Sequence, residues 1–208
     1  EVYVHGRDFP GMLHARVLRP PSYRAELVSF DPQRVETMAG VAAVVRRGKV
    51  IGVVAEREEQ AVAAVAALTR CATWREAAEL PDVDALPAYL RSLPAKPMVL
   101  SEKGAWPAGG AAELRATYSR PFIAHASIGP SCAVARWHDG AIEIWSQSQS
   151  IHPTRKDIAT TLGMPIDRIT IHHVQGAGCY GHNSADDATL DAVLLAHRDQ
   201  WFVREVIH

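Results

Sequence analysis

Paired cysteines are absent from this sequence. Cys71, Cys132 and Cys179 stand far apart and form no C-x-x-C pair, which excludes the thiolate spacing of zinc and iron–sulfur sites. A sparse, odd count fits a reducing compartment. An excess of one charge is lacking too. The 22 Lys and Arg against 23 Asp and Glu leave a net charge of -1, and no basic run is interleaved with aromatics. Neither nucleic acid nor an anionic lipid surface is therefore an expected partner. No apolar run is long enough to cross a membrane, and no signal peptide is recognisable. An initiator Met is missing as well, and the chain opens on the strand-like Glu1-Val2-Tyr3-Val4, the pattern of a fragment or a processed piece. The expected location is the cytoplasm, with the periplasm as the alternative.

What is present is ordinary globular material: 208 residues, 48% hydrophobic and 22% charged, enough to build a core in one or two domains. Met12-Leu13-His14-Ala15-Arg16-Val17-Leu18 alternates as a strand ahead of Pro20-Pro21. Asp31-Pro32 opens a short helix that stops near Gly40. Residues 41–45 and 50–55 are apolar runs turned by Arg46-Arg47-Gly48-Lys49, a hairpin, and the Ala/Val-rich 58–68 is a packed helix. Together these predict a small α+β unit over residues 1–78. Residues 79–110 carry Pro81, Pro87, Pro94, Pro97, Pro107 and Gly109-Gly110, the composition of a linker, with only 84–93 fit for a helix.

Residues 111–208 begin with a strand-like stretch over 113–118. His138-Asp139-Gly140 then separates two apolar runs as a hairpin turn. A helix over 153–162 ends at Gly163, a strand runs over 169–174, and a helix is expected over 184–196. Trp201-Phe202-Val203 begins another strand. Between strand and helix lies Gly176-Ala177-Gly178-Cys179-Tyr180-Gly181, which fits G-x-G-x-x-G.

This loop admits three interpretations. A dinucleotide site needs that spacing after a strand and before a helix. Against it, Asp186 and Asp187 occupy the helix start where a pyrophosphate needs bare N–H groups, and no room follows for the rest of such a fold. A tight turn that simply needs glycine is the second interpretation. The third comes from resemblance. Ile144-Trp145-Ser146-Gln147-Ser148-Gln149-Ser150, then Leu162-Gly163-Met164-Pro165-Ile166-Asp167-Arg168-Ile169, then the glycine loop, resemble the molybdenum hydroxylases, the xanthine dehydrogenase and aldehyde oxidase family. Their order resembles the first molybdopterin-binding domain. Gly11 to Ala15, Arg19-Pro20-Pro21 and Gly52-Val53-Val54-Ala55-Glu56 resemble the small α/β hammerhead domain that precedes it. Cys179 and Tyr180, where the common loop has Gly and Phe, together with His182, Asn183, Asp186 and Asp187, resemble the isoquinoline and nicotinate dehydrogenase branch.

The resemblance implies an α+β fold: a hammerhead-like domain, a linker, and the N-terminal portion of the first molybdopterin-binding domain. It implies a molybdopterin-type molybdenum cofactor contacted by Gln149, Gly178, Cys179, Tyr180 and Gly181. The Gln149 amide would donate toward an apical oxo ligand, and Gln147, one strand period away, is the competing assignment. No residue is expected to ligate the metal directly. His125 in His125-Ala126-Ser127-Ile128-Gly129-Pro130 matches a family element whose acid is Gly129 here. His172 and His173, adjacent on a strand, should face opposite sides as structural residues. The family hydroxylates an N-heterocycle or aldehyde with water as oxygen source, using a base in a second molybdopterin-binding domain and 2Fe-2S clusters on a partner. The implied partners are that second domain or chain, an iron–sulfur subunit and a small-molecule substrate. The isolated chain is expected to be inactive, and Glu205, placed after a strand, is not expected to be the base. A non-enzymatic interaction module and a nucleotide-binding oxidoreductase are the alternatives.

Overall fold

The computed structural model describes residues 2–76, 80–105, 114–181, 187–197 and 201–206. It divides into two compact units, residues 1–77 with 125–208, and residues 78–124.

The first unit is a mixed α/β structure built on a seven-stranded sheet in the order β3-β4-β1-β9-β6-β7-β8. Its strands are β1 (Leu13–Leu18), β3 (Val41–Arg47), β4 (Val50–Ala55), β6 (Cys132–His138), β7 (Ala141–Ser146), β8 (Ile169–His173) and β9 (Phe202–Val206). A separate antiparallel pair joins β2 (Glu26–Phe30) and β5 (Ala72–Arg75). The helices of this unit are α1 (Gln33–Glu36), α2 (Glu58–Thr69), α4 (Ile151–Leu162) and α5 (Asp187–Ala196).

Local sequence explains the hairpins. His138 pairs with Ala141, and the two residues between them, Asp139 and Gly140, both have positive φ, 48° and 72°. This is the type I′ geometry that Asp-Gly favours. Arg47 pairs with Val50 across Gly48-Lys49. Helix α4 stops where Gly163 takes a left-handed φ of 63°, as glycine permits after a helix. In α2, Ala61, Ala64 and Leu68 are buried, the i, i+3, i+7 stripe of a helix with one face on the core.

Long-range pairing explains the rest. β9 lies between β1, parallel to it, and β6, antiparallel to it. Both faces of the sheet are covered, so Cys132 to Ala135 are all buried. Ala133 and Ala135 face a core shared with α5, which includes Val193 and Leu195. Cys132 and Val134 face Val4, Met12 and Trp145. A third cluster packs Leu68 of α2 and Val35 of α1 on Val44, Ile51 and Val53.

Three expectations are corrected. Val4–Gly6 is a 3-10 turn rather than a strand, because Val4 is fully buried in the core and its N–H donates to Gln175 O at 2.8 Å. Residues 114–118 form no strand; Leu114 and Tyr118 are more than nine-tenths exposed, so alternation there finds no sheet face to fill. Glu205 lies inside β9, not after it, and is 1% exposed. The second unit contains α3 (Leu86–Ser92) within the expected 84–93. Pro107, Gly109, Gly110, Glu113, His182, Asn183, Ser184 and Asp186 lie outside the described residues. No helix among the described residues is long and apolar enough to cross a membrane.

Candidate functional site

The glycine loop follows β8 and faces the segment that succeeds β7. These two strands pair in parallel, with Ser146 opposite His173, and Val174 N–H extends the pairing by donating to Ser146 O at 3.0 Å. Both strands thus deliver their next residues, 147–150 and 174–181, to the same edge of the sheet. Hydroxyl groups fix the first segment. Ser146 Oγ lies 2.7 Å from Thr189 Oγ1 of α5 in a buried pair, and accepts from Ser148 N–H at 3.1 Å. Ser148 Oγ in turn accepts from Ser150 N–H at 3.2 Å. Such serine turns replace ladder hydrogen bonds once the strand has ended.

The end of β7 at Ser146 separates the two glutamines. Beyond a strand the two-residue alternation no longer holds, and Gln147 and Gln149, which border one cleft, differ in exposure. Gln147 is 7% exposed, whereas Gln149 is exposed and its Nε2 donates to Cys179 Sγ at 3.1 Å. Gln149, Gly178 and Cys179 line one open cleft of about 350 Å³ with Gln147, Gly176, Tyr3, His173 and Gln175. Tyr180 and Gly181 are described but do not line it; Tyr180 is 55% exposed.

The loop's glycines are sterically required. A Cβ on Gly176 would sit 1.6 Å from Gln147 Oε1. Gly178 and Gly181 have φ of +88° and +138°, and a Cβ on them would meet Tyr180 Cε2 at 2.8 Å and His125 Cδ2 at 2.6 Å. Tyr180 itself has φ +48°, a conformation costly for a residue with a ring and retained where surroundings impose it. His125 and Gly129 both abut the loop, Gly129 through Ala177, so the element at 125–130 packs on it directly. The cleft is closely built, its lining holds no Asp, Glu, Lys or Arg, and it presents amides, a thiol, an imidazole and a phenol. These groups fit a hydrogen-bonding planar cofactor.

Tyr3 and Gln175 were not singled out in the sequence, and His173 was read there as structural. Tyr3 reaches the cleft because Val4 is tied to Gln175, a contact with no local signal. His172 and His173 separate as alternation predicts. His172 Nε2 lies 2.8 Å from Glu143 Oε1 and stacks on Trp145, while His173 lines the cleft. Among the described residues no group of three His, Cys, Asp or Glu side chains could hold a metal ion. A larger cleft of about 550 Å³ shares no lining residue with this one. Val62, Val65, Ala66 and Trp74 give it apolar walls, with Arg16, Arg19 and Glu205 beside them. Of the two acids at the helix start, Asp187 begins α5.

The chain is similar to several known proteins. Residues 103–200 match the molybdopterin cofactor-binding domain. The chain is 38% identical over 97% of its length to a nicotinate dehydrogenase subunit of Pseudomonas putida, of which it spans 18%. A 71-residue stretch, 34% of the chain, is 30% identical to the aldehyde oxidoreductase molybdenum-binding subunit of Escherichia coli, covering 10% of that protein. In fold it is similar to quinoline 2-oxidoreductase from Pseudomonas putida 86, with a TM-score of 0.71 and 16% identity over 98% of this chain and 32% of that one. The Cu,Mo-CO dehydrogenase matches with a TM-score of 0.70 and 17% identity over 98% of this chain and 33% of that one. The chain belongs to the molybdenum hydroxylase family, in its molybdopterin-binding subunit. Within that family, the nicotinate dehydrogenase subunit is a relative matched along nearly the whole chain.

Proposed function

We propose that this chain supplies one wall of a molybdopterin site in an oxidoreductase that hydroxylates an N-heterocycle or an aldehyde with water as the oxygen source. The observation that carries the proposal is the meeting of Gln149 with Gly178 and Cys179 in one cleft, inside the residues that match the molybdopterin cofactor-binding domain. The cofactor, when bound, supplies two-electron oxidation of an electron-poor carbon. Gln149 would offer it an amide N–H, and Tyr180 and Gly181, next along the loop from Gly178 and Cys179 of the cleft, would offer backbone N–H groups. Cys179 borders the site as a side chain that packs and accepts a hydrogen bond.

No catalytic base is assigned to this chain. Glu205 is 1% exposed in β9 and borders a different cleft from the one that holds Gln149, which supports a base contributed by a second molybdopterin-binding domain or chain. An iron–sulfur subunit carrying 2Fe-2S clusters is the proposed electron acceptor, the cytoplasm the proposed location, and the isolated chain inactive. A hammerhead-like region over 1–78, a linker over 79–110 and the start of the first molybdopterin-binding domain at 111 complete the proposal. One sheet runs through the first and last of these regions, with β1 pairing to β9.

The experiment is molybdenum and pterin analysis of the purified chain and of any complex that co-purifies with it, with a parallel titration by NAD and FAD. Molybdenum and pterin in stoichiometric amount, lost in the Gln149→Ala variant, are expected. Neither form holding them would sink the proposal, and tight nucleotide binding would replace it with the dinucleotide alternative.

A further inference from the structure

We propose that Gln147 is the positioning residue of the glycine loop: its buried side chain occupies the volume beneath Gly176 and sets the height at which Gly176 to Cys179 face Gln149. The assignment deepens the proposed cofactor role and rests on it for its consequence, though its geometry stands independently.

Three observations carry it. First, the contact is intimate. A Cβ on Gly176 would lie 1.6 Å from Gln147 Oε1, 2.3 Å from its Cδ and 2.7 Å from its Cβ, so the entire side chain passes under that one backbone position. Second, both ends are anchored. Ser146, held to Thr189, and Ser148, held to Ser146, fix the backbone from which Gln147 projects. The loop is held on its other side by Val174 N–H to Ser146 O at 3.0 Å and Val4 N–H to Gln175 O at 2.8 Å. A side chain between two fixed backbones acts as a spacer, because close-packed interiors transmit displacement rather than absorb it. Third, the two glutamines divide the work. Gln149 is exposed in the cleft, and Gln147, which borders the same cleft, is only 7% exposed. Gln147 therefore presents little of its own surface to a ligand and acts on it mainly through the loop.

The spacer role is a matter of volume, which separates it from a role for the amide. Gln147→Met keeps the length and loses the amide, whereas Gln147→Ala loses both. Amide hydrogen exchange in the unloaded chain is the first measurement. Gln147→Ala should speed exchange at Gly176, Ala177 and Gly178 by about tenfold or more, as local opening does, and leave β6 and β7 unchanged. Gln147→Met should stay near the native rates. Cofactor content is the second measurement: Gln147→Ala should load several-fold less molybdenum and pterin than Gln147→Met. A compensating pair gives the third. Gly176→Ala alone should lose loading, and Gly176→Ala with Gln147→Gly should regain part of it, because the overlapping atoms are gone. Native exchange rates in Gln147→Ala overturn the proposal and leave the cofactor role intact. Faster loop exchange with no cofactor in the native protein keeps the spacer and overturns the cofactor role instead. Equal loss in Gln147→Met and Gln147→Ala overturns the role of volume.

Discussion

Replacing Glu205 by Gln should stabilise this protein at neutral pH. The carboxyl is 1% exposed in β9, and among the described residues its Oε2 has no hydrogen-bond partner. Burial pushes its pKa well above the ordinary value of 4.5, and the negative charge of Asp191 adds to the effect. The cations of Arg16 and Arg19 and the Val206 N–H pull the other way without offsetting it. The folded protein thus holds a proton that the unfolded chain releases in the ordinary carboxylate range. Stability from this group is fully present below that range and is lost as pH rises toward the folded value. The slope is about 1.4 kcal/mol per pH unit while the two states differ by one proton. Between the ordinary 4.5 and pH 7 the loss has a ceiling of roughly 3 kcal/mol. Glu205→Gln keeps the shape and removes the titration. Urea unfolding followed by tryptophan fluorescence should show the variant and the native protein within about 0.5 kcal/mol at pH 4.5. By pH 8 the variant should lead by roughly 1–3 kcal/mol. Parallel stability curves across that range would refute the reasoning, because they would mean that Glu205 ionises alike in both states.

Other outcomes rest on the same structure. Ser146→Ala strands Thr189 Oγ1 and Ser148 N–H in a buried position and should cost about 1–3 kcal/mol in thermal or urea unfolding. Gly181→Ala places a side chain at φ +138° and against His125, and should cost about 1–3 kcal/mol while lowering molybdenum content. Burial pushes the Cys132 thiol up to about 12. Iodoacetamide at pH 8 should therefore label it at least about tenfold more slowly than the partly exposed Cys71 and Cys179, as peptide mass spectrometry will report.

The legible parts of the fold were those that neighbours in sequence decide. Asp139-Gly140 carries its own turn geometry, Gly163 its own helix stop, and Ala61, Ala64 and Leu68 their own stripe. The hairpins and helices they bound lie where expected. The 3-10 turn at Val4 to Gly6 was hidden because its cause is a residue more than 170 positions away, Gln175. The pair β2 and β5 was missed because each strand is short and finds its partner across α1, β3, β4 and α2. At the site, the resemblance brought Gln149 and the glycine loop together ahead of the structure. It chose Gln149 over Gln147, but the different burial of the two was beyond it, since that depends on β7 ending at Ser146 and on serine turns reorienting the next residues.

The position of β9 has a consequence for biosynthesis. Leu13 waits for Val203, and Cys132 for Val206. Until those late residues emerge from the ribosome, β1 and β6 are bare edges of two half-sheets, each a template for a neighbouring chain. A nascent polypeptide of this sequence is therefore open to edge-to-edge association from the moment β1 or β6 forms until residues 202–206 have emerged. A chaperone that shields strand edges should raise its yield more than one that shields helices.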